Sequence, residues 1–145
     1  MKKLMTIILA LLSMAATACA DNDKIISQEQ LPAAAKELIA DHFAQNKILV
    51  VKLDNDLFSK DYEVLFEDRT TIKFDKDGKW TEIECKMSAV PNEAVPVQIL
   101  EYVAKNYPDA LIKQIDRDRK GYDVELSNKI ELKFNKKFEL RKIDL

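Results

Sequence analysis

Histidine, cysteine and glycine are nearly missing from this chain. Its 145 residues include one histidine, His42, two cysteines, Cys19 and Cys85, and two glycines, Gly78 and Gly121. A metal centre built on imidazole and thiolate needs several such ligands brought together, and none are spaced for one. A phosphate-cradling loop needs clustered glycines, which two isolated glycines cannot supply. Nucleophilic catalysis needs a base beside its nucleophile. The four serines after residue 20 lack the glycine-flanked elbow pattern, and His42 falls near the end of an expected helix. Glu82 and Glu84 alternate on an expected strand, where a solvated face explains them. The chain is therefore expected to be no enzyme and to carry no cofactor. Positive charge is also in deficit: the formal net charge is −2, and −4 without residues 1–20, which hold Lys2, Lys3 and no acid. That balance speaks against nucleic acid and against an anionic membrane surface as partners.

Long apolar runs are confined to the N-terminus. Lys2 and Lys3 precede a stretch at 4–14 interrupted only by Thr6 and Ser13, and small residues fill 15–20. The order is that of a signal peptide. Ala18-Cys19-Ala20 fits the small-x-small rule, so the expected cut falls after Ala20 and the mature chain is expected to be periplasmic or secreted. A rival reading takes Ala16-Thr17-Ala18-Cys19 as a lipoprotein box and anchors the chain through an acylated Cys19, although Ala16 stands where leucine is usual. The run is short for a membrane span, and no later stretch resembles one. After a cut at Ala20, Cys85 is the lone thiol, so no internal disulfide forms; its plain reading is a small buried apolar residue.

What is abundant is internal similarity. Leu31-Pro32 matches Val95-Pro96 at an offset of 64, and Leu38, Ile39 and Phe43 match Tyr102, Val103 and Tyr107 in that register. The offset then drops to 60, where Tyr62-Glu63-Val64 matches Tyr122-Asp123-Val124 and Phe74 matches Phe134. Two repeats are read, at 27–85 and 91–145, within one domain at 21–145. Each opens with a helix: Pro32 and Pro96 suit a first turn, and the matched apolar residues fall at helical spacing. Strands with period two follow. A three-residue loop at 67–69 would set Val64 opposite Ile72, Tyr62 opposite Phe74, and Glu63 opposite Lys73. The equivalent loop at 127–129 would set Val124 opposite Leu132, Tyr122 opposite Phe134, and Asp123 opposite Lys133. Such loops want glycine in the left-handed position, and Arg69 and Lys129 stand there. Trp80 and Ile83, like Leu140 and Ile143, are three apart on one face, which calls for a bulge. The expected fold class is α+β: a tandem repeat of one helix plus about four antiparallel strands, with the helices packed on one face of the sheet.

Two acidic stretches qualify as candidate cation sites. Asp75, Asp77, Gly78 and Glu84 fall at the third, fifth, sixth and twelfth places of an EF-hand-like spacing. Lys73 occupies the first place and cannot be a ligand, so no metal is assigned, with Asp75 and Asp77 the best-placed carboxylates. Asp54-Asn55-Asp56 with Asp61 reads as a solvated loop.

Three stretches together resemble a known family: Leu31-Pro32-Ala33-Ala34-Ala35-Lys36, Phe74-Asp75-Lys76-Asp77-Gly78-Lys79-Trp80, and Asp118-Arg119-Lys120-Gly121-Tyr122-Asp123-Val124-Glu125-Leu126-Ser127-Asn128. With the leader and the duplication, the chain resembles the PepSY-like periplasmic proteins, whose fold is like that of β-lactamase-inhibitor protein. The resemblance spans about residues 27–144, and its motifs are structural. It implies a helix-plus-sheet fold and, by analogy, binding or inhibition of an envelope protein. The residues left for partner contact are those of the uncovered sheet face: Glu63, Leu65, Lys73, Asp123, Glu125 and Lys133. A broad charged surface suits a protein or peptide better than a small molecule. The expected function is thus an exported binding or inhibitor-type module; the alternative is a ligand- or calcium-responsive periplasmic protein.

Overall fold

The computed structural model describes residues 23–145. The expected leader, its cut near Ala20 and the acylation site at Cys19 lie outside the described residues. In chain order the elements are β1 (Asp23–Ile26), α1 (Ala33–His42), β2 (Ile48–Asn55), β3 (Lys60–Phe66), β4 (Thr70–Phe74), β5 (Trp80–Cys85), α2 (Val97–Asn106), β6 (Ile112–Arg117), β7 (Gly121–Leu126), β8 (Glu131–Asn135) and β9 (Leu140–Asp144). A short 3₁₀ turn precedes each helix, at Gln28–Gln30 and Asn92–Ala94.

Pro32 and Pro96 cap the helices rather than opening their first turns. Their carbonyls accept the first helical bonds, from Ala35 and Lys36 and from Ile99 and Leu100. Each helix has only ten residues, too few to stand alone in water, so packing holds it. Ala35 of α1, with Ile99 and Val103 of α2, shares one core with Val64, Phe66, Ile72, Ile83, Val124 and Leu132 of the sheet. Phe43, at the end of α1, stacks on Phe66 at 5.8 Å between centroids, and Tyr102 of α2 meets Phe134 edge-on at 5.4 Å.

The strands overturn the tandem architecture read from sequence. They form a single nine-stranded antiparallel sheet with two short helices, in the order β1-β2-β3-β4-β5-β6-β7-β8-β9, not two helix-plus-four-strand units; α+β holds only broadly. β1 had no counterpart in the sequence reading and pairs with β2, Ile26 opposite Val51. β5 pairs directly with β6 through Glu82↔Asp116, Ile83↔Ile115 and Glu84↔Gln114, so no free edge separates the halves. An unpaired edge at β5 would leave backbone N–H and C=O groups without partners; pairing with β6 satisfies them.

Within the sheet the hairpin registers follow the apolar pattern. Val64 faces Ile72 and Glu63 faces Lys73; Val124 faces Leu132 and Asp123 faces Lys133. The register shifts where β5 and β9 begin, leaving Thr81 and Arg141 as the extra residues. Arg69 and Lys129 hold φ of 65° and 70°, and Phe138 holds 62°. Phe138 belongs to the turn before β9.

Candidate functional site

Because side chains alternate along a strand, each residue between two core positions lies on the face opposite the helices. The registers place eight charged residues abreast there: Lys52, Glu63, Lys73, Glu82, Asp116, Asp123, Lys133 and Lys142 run across β2 to β9. A second row holds Leu65, Thr71, Glu84, Gln114, Glu125, Glu131 and Asp144.

The flanks of the first row carry both signs and pair internally. Lys52 lies 3.6 Å from Glu63, Lys73 2.9 Å from Glu82, and Lys133 reaches Glu131 at 2.7 Å and Asp123 at 3.0 Å. These pairs are half-exposed and screened by solvent, so each adds little stability. Glu131 and Asp123 raise the Lys133 ammonium above its usual range through their hydrogen bonds, and Glu82 does the same for Lys73.

The middle of the row is different. Glu82, Asp116 and Asp123 stand side by side on β5, β6 and β7. Asp116 is pushed up to about 6, first by burial and then by the charge of Glu82. Gln114 Nε2 donates to its carboxylate at 3.1 Å and opposes part of the rise. Asp116 and Asp123 line a small polar depression of about 90 Å³ with Gln114, Glu125 and Glu131.

A larger trough of about 600 Å³ lies toward the β1 side. Lys52, Asp61, Glu63, Lys73, Arg117 and Arg119 are among its lining residues. Arg117 stands at one wall, its guanidinium 4.0 Å over the Trp80 ring and its Nε donating to the Trp80 carbonyl at 2.5 Å. Burial lowers its pKa from the ordinary arginine value. The trough thus presents fixed cations and carboxylates at once, suited to grip a surface that also carries both signs.

The six residues read from sequence as partner contacts divide between these features. Glu63 and Lys73 share the trough, Asp123 and Glu125 the small depression. Lys133 reaches that depression through Asp123, and Leu65 lies in the second row. The sequence reading missed Lys52, Asp116, Arg117 and Arg119, and placed Glu82 on a solvated strand face without a role. Its available signal was the charged run from Asp116 to Lys120, but placing that run required the pairing of β5 with β6. Of the cation candidates, Asp75 turns its Oδ1 onto the backbone N–H groups of Asp77 and Lys79, at 2.9 and 3.0 Å, and Asp77 is exposed. Among the described residues no group of three or more His, Cys, Asp or Glu side chains is placed to hold a metal ion. Cys85 is buried, and burial raises its thiol pKa, the opposite of an activated nucleophile.

Residues 18–64 and 60–142 match the family model described as "Putative beta-lactamase-inhibitor-like, PepSY-like". The chain belongs to this PepSY-like family. Solved structures agree. The PepSY-like chain is 44% identical to a proposed calcium-regulated periplasmic protein of Bacteroides thetaiotaomicron, with a TM-score of 0.85 over 87% of this chain and 99% of that one. A proposed periplasmic protein of the DUF2874 family from Bacteroides vulgatus is 47% identical, with the same TM-score and coverage. A further proposed periplasmic protein from Bacteroides vulgatus, of unknown function, is 34% identical, with a TM-score of 0.80 over 85% of this chain and 99% of that one. No curated protein sequence matches it. None of these descriptions names a catalytic activity. Among the described residues, no helix is long and apolar enough to cross a membrane.

Proposed function

We propose that this PepSY-like chain is an exported, non-catalytic binding module of the cell envelope, taking a protein or peptide partner on the sheet face that the helices leave uncovered. The observation that carries the reading is the trough of about 600 Å³ on that face, lined by lysine, arginine and carboxylate side chains. A shallow charged relief of this kind discriminates among protein surfaces and lacks the deep apolar lining of a small-molecule pocket. Glu63, Leu65, Lys73, Asp123, Glu125 and Lys133 are the contact residues, with Lys52 and Arg117 added by the geometry. Export follows the leader at 1–20, with release after Ala20 or anchoring at Cys19, and periplasmic relatives support that location. The test is affinity capture from periplasmic extract on the immobilised mature chain, read by mass spectrometry. Charge reversals Glu63→Lys and Lys133→Glu should keep the native circular dichroism and lose the captured protein. Undiminished capture by both variants would remove the open face from the proposal.

Calcium response is the second reading. It draws on the name of the Bacteroides thetaiotaomicron relative and on the β4–β5 turn, where Asp75 and Asp77 are the best-placed carboxylates. Ligand binding raises the melting temperature. Millimolar calcium should then raise the melting temperature of the unaltered chain. Loss of that shift in Asp75→Asn would assign it to the β4–β5 turn. No shift in the unaltered chain removes this reading.

A further inference from the structure

The two ends of the sheet are not equivalent. Among the described residues, β9 pairs with β8 on one side and with no strand on the other, and β1 closes the far end in the same way. An edge strand leaves a row of backbone N–H and C=O groups open to pairing, and charged side chains or bulges usually blunt it. β9 carries both. The bulge comes first, where the register shifts beside Phe134 and leaves Arg141 as the extra residue. Beyond it the strand is regular: Lys142 faces Lys133, Ile143 faces Leu132 and Asp144 faces Glu131.

Charges on an edge turn away a strand that brings the same sign and accept one that brings the opposite sign. The order Lys142-Ile143-Asp144 is complementary to itself in this sense. Set antiparallel against a second copy about Ile143, it places Lys142 of each copy opposite Asp144 of the other and Ile143 opposite Ile143. Registers centred on Lys142 or on Asp144 put like charges on the axis. Registers centred between residues set Ile143 against Lys142 or Asp144 and join the open face of one copy to the helix-covered face of the other. A strand of another protein would need the same order by coincidence; a second copy carries it by construction.

The contacts within one chain do not oppose this pairing. Lys142 bridges Asp144 along the strand at 2.7 Å, Arg141 bridges Glu139 at 3.2 Å, and Lys133 is held by Glu131 and Asp123 at 2.7 and 3.0 Å. Such exposed bridges are kept or exchanged at little cost. Apolar surface points the same way. Ile143 lies on the core face opposite Leu132, yet it is 41% exposed, because no strand covers its outer side. β1 has no comparable order. Asp23 and Ile25 share one face, Lys24 and Ile26 the other, so its acid and its base never meet when two copies keep their faces continuous.

We infer that β9 is the edge through which two copies of this chain associate, antiparallel about Ile143, with Lys142 of each facing Asp144 of the other. The contact is isologous and closes on a dimer. It joins two nine-stranded sheets with the helices of both copies on one side. It does not depend on the binding-module reading, and it leaves the trough, toward the β1 side of each copy, free for a partner.

The test is sedimentation equilibrium of the mature chain from about 10 µM to about 1 mM, the range suited to a short interface. A monomer–dimer equilibrium is expected. Lys142→Asp and Asp144→Lys each set like charges across the pair and should weaken association by about tenfold or more. Both changes together restore opposite signs and should recover it. Circular dichroism at low concentration checks that all three variants fold. Ile143→Cys should also cross-link to its twin under mild oxidation, since Cα atoms directly opposite lie within disulfide reach. Asp144→Cys faces position 142 and should not, and Cys85 is buried. The inference is overturned by a chain that stays monomeric throughout, by a dimer indifferent to both single reversals, or by one that the double variant fails to recover. Cross-linking as ready from position 144 as from 143 would also overturn it, as would mass growing beyond the dimer, the sign of head-to-tail pairing between β1 and β9.

Discussion

Asp116 stands between two other carboxylates, and its proton records the conflict. Burial comes first, Glu82 second, and together with Asp123 they push the group to about 6, while Gln114 and Lys73 pull it back. The folded state holds this proton more tightly than the unfolded chain does. Below the ordinary carboxylate range Asp116 is neutral in both states and contributes nothing. As pH rises from there through about 6, the unfolded chain gives up its proton first while the folded state keeps its own, so stability falls; above 6 both are ionised and the penalty is constant. Asp116→Asn removes the charge and keeps the shape. After discounting for solvent screening, the variant should be about 1 kcal/mol more stable at neutral pH and unchanged at about pH 3. Urea denaturation at the two pH values measures both numbers. An equal gain at each pH would assign the effect to packing rather than to charge.

Hairpins are the elements in which the sequence was most readable. Tyr62, Val64, Ile72 and Phe74 sit at alternate positions, and only a three-residue loop puts all of them on one face; the observed registers follow that rule in both β3–β4 and β7–β8. The cost of the loops was readable too, since Arg69 and Lys129 hold positive φ where a Cβ is disfavoured. Lys129→Gly should therefore stabilise the fold by about 0.5–1 kcal/mol, read as a raised urea midpoint with an unchanged slope. Phe138→Gly should not, although Phe138 has the same backbone sign, because its ring stacks on Tyr122 at 5.2 Å and that packing would be lost. A midpoint raised by Phe138→Gly, or lowered by Lys129→Gly, would contradict the account. β1 was not readable: it is four residues long, Ile25 is 78% exposed, and only Ile26 joins the core. The open face was readable residue by residue from alternation. The trough was not, because Arg117 and Arg119 reach it only through the order of strands.

At the scale of the molecule, one core and one sheet run through both halves of the chain. Similarity between the halves suggested two repeats within one domain, and pattern alone could not decide whether β5 would end one sheet or continue into the next. Ile83 and Ile115 face each other at that junction, and neither has any exposed surface. A fold joined through its core is expected to unfold as a single cooperative unit. Ile115→Ala should cost about 3 kcal/mol, the transfer of a large side chain plus the cavity it leaves. The decisive point is how that loss is distributed. Trp80, the lone tryptophan, begins β5 in the N-terminal half, so its fluorescence reports that half while far-ultraviolet circular dichroism reports the whole sheet. Both signals should shift to the same lower midpoint in Ile115→Ala, although the substituted residue lies on β6. If the tryptophan transition stays in place while the circular dichroism splits in two, the halves are independent folding units that merely touch, and the continuous sheet confers no cooperativity.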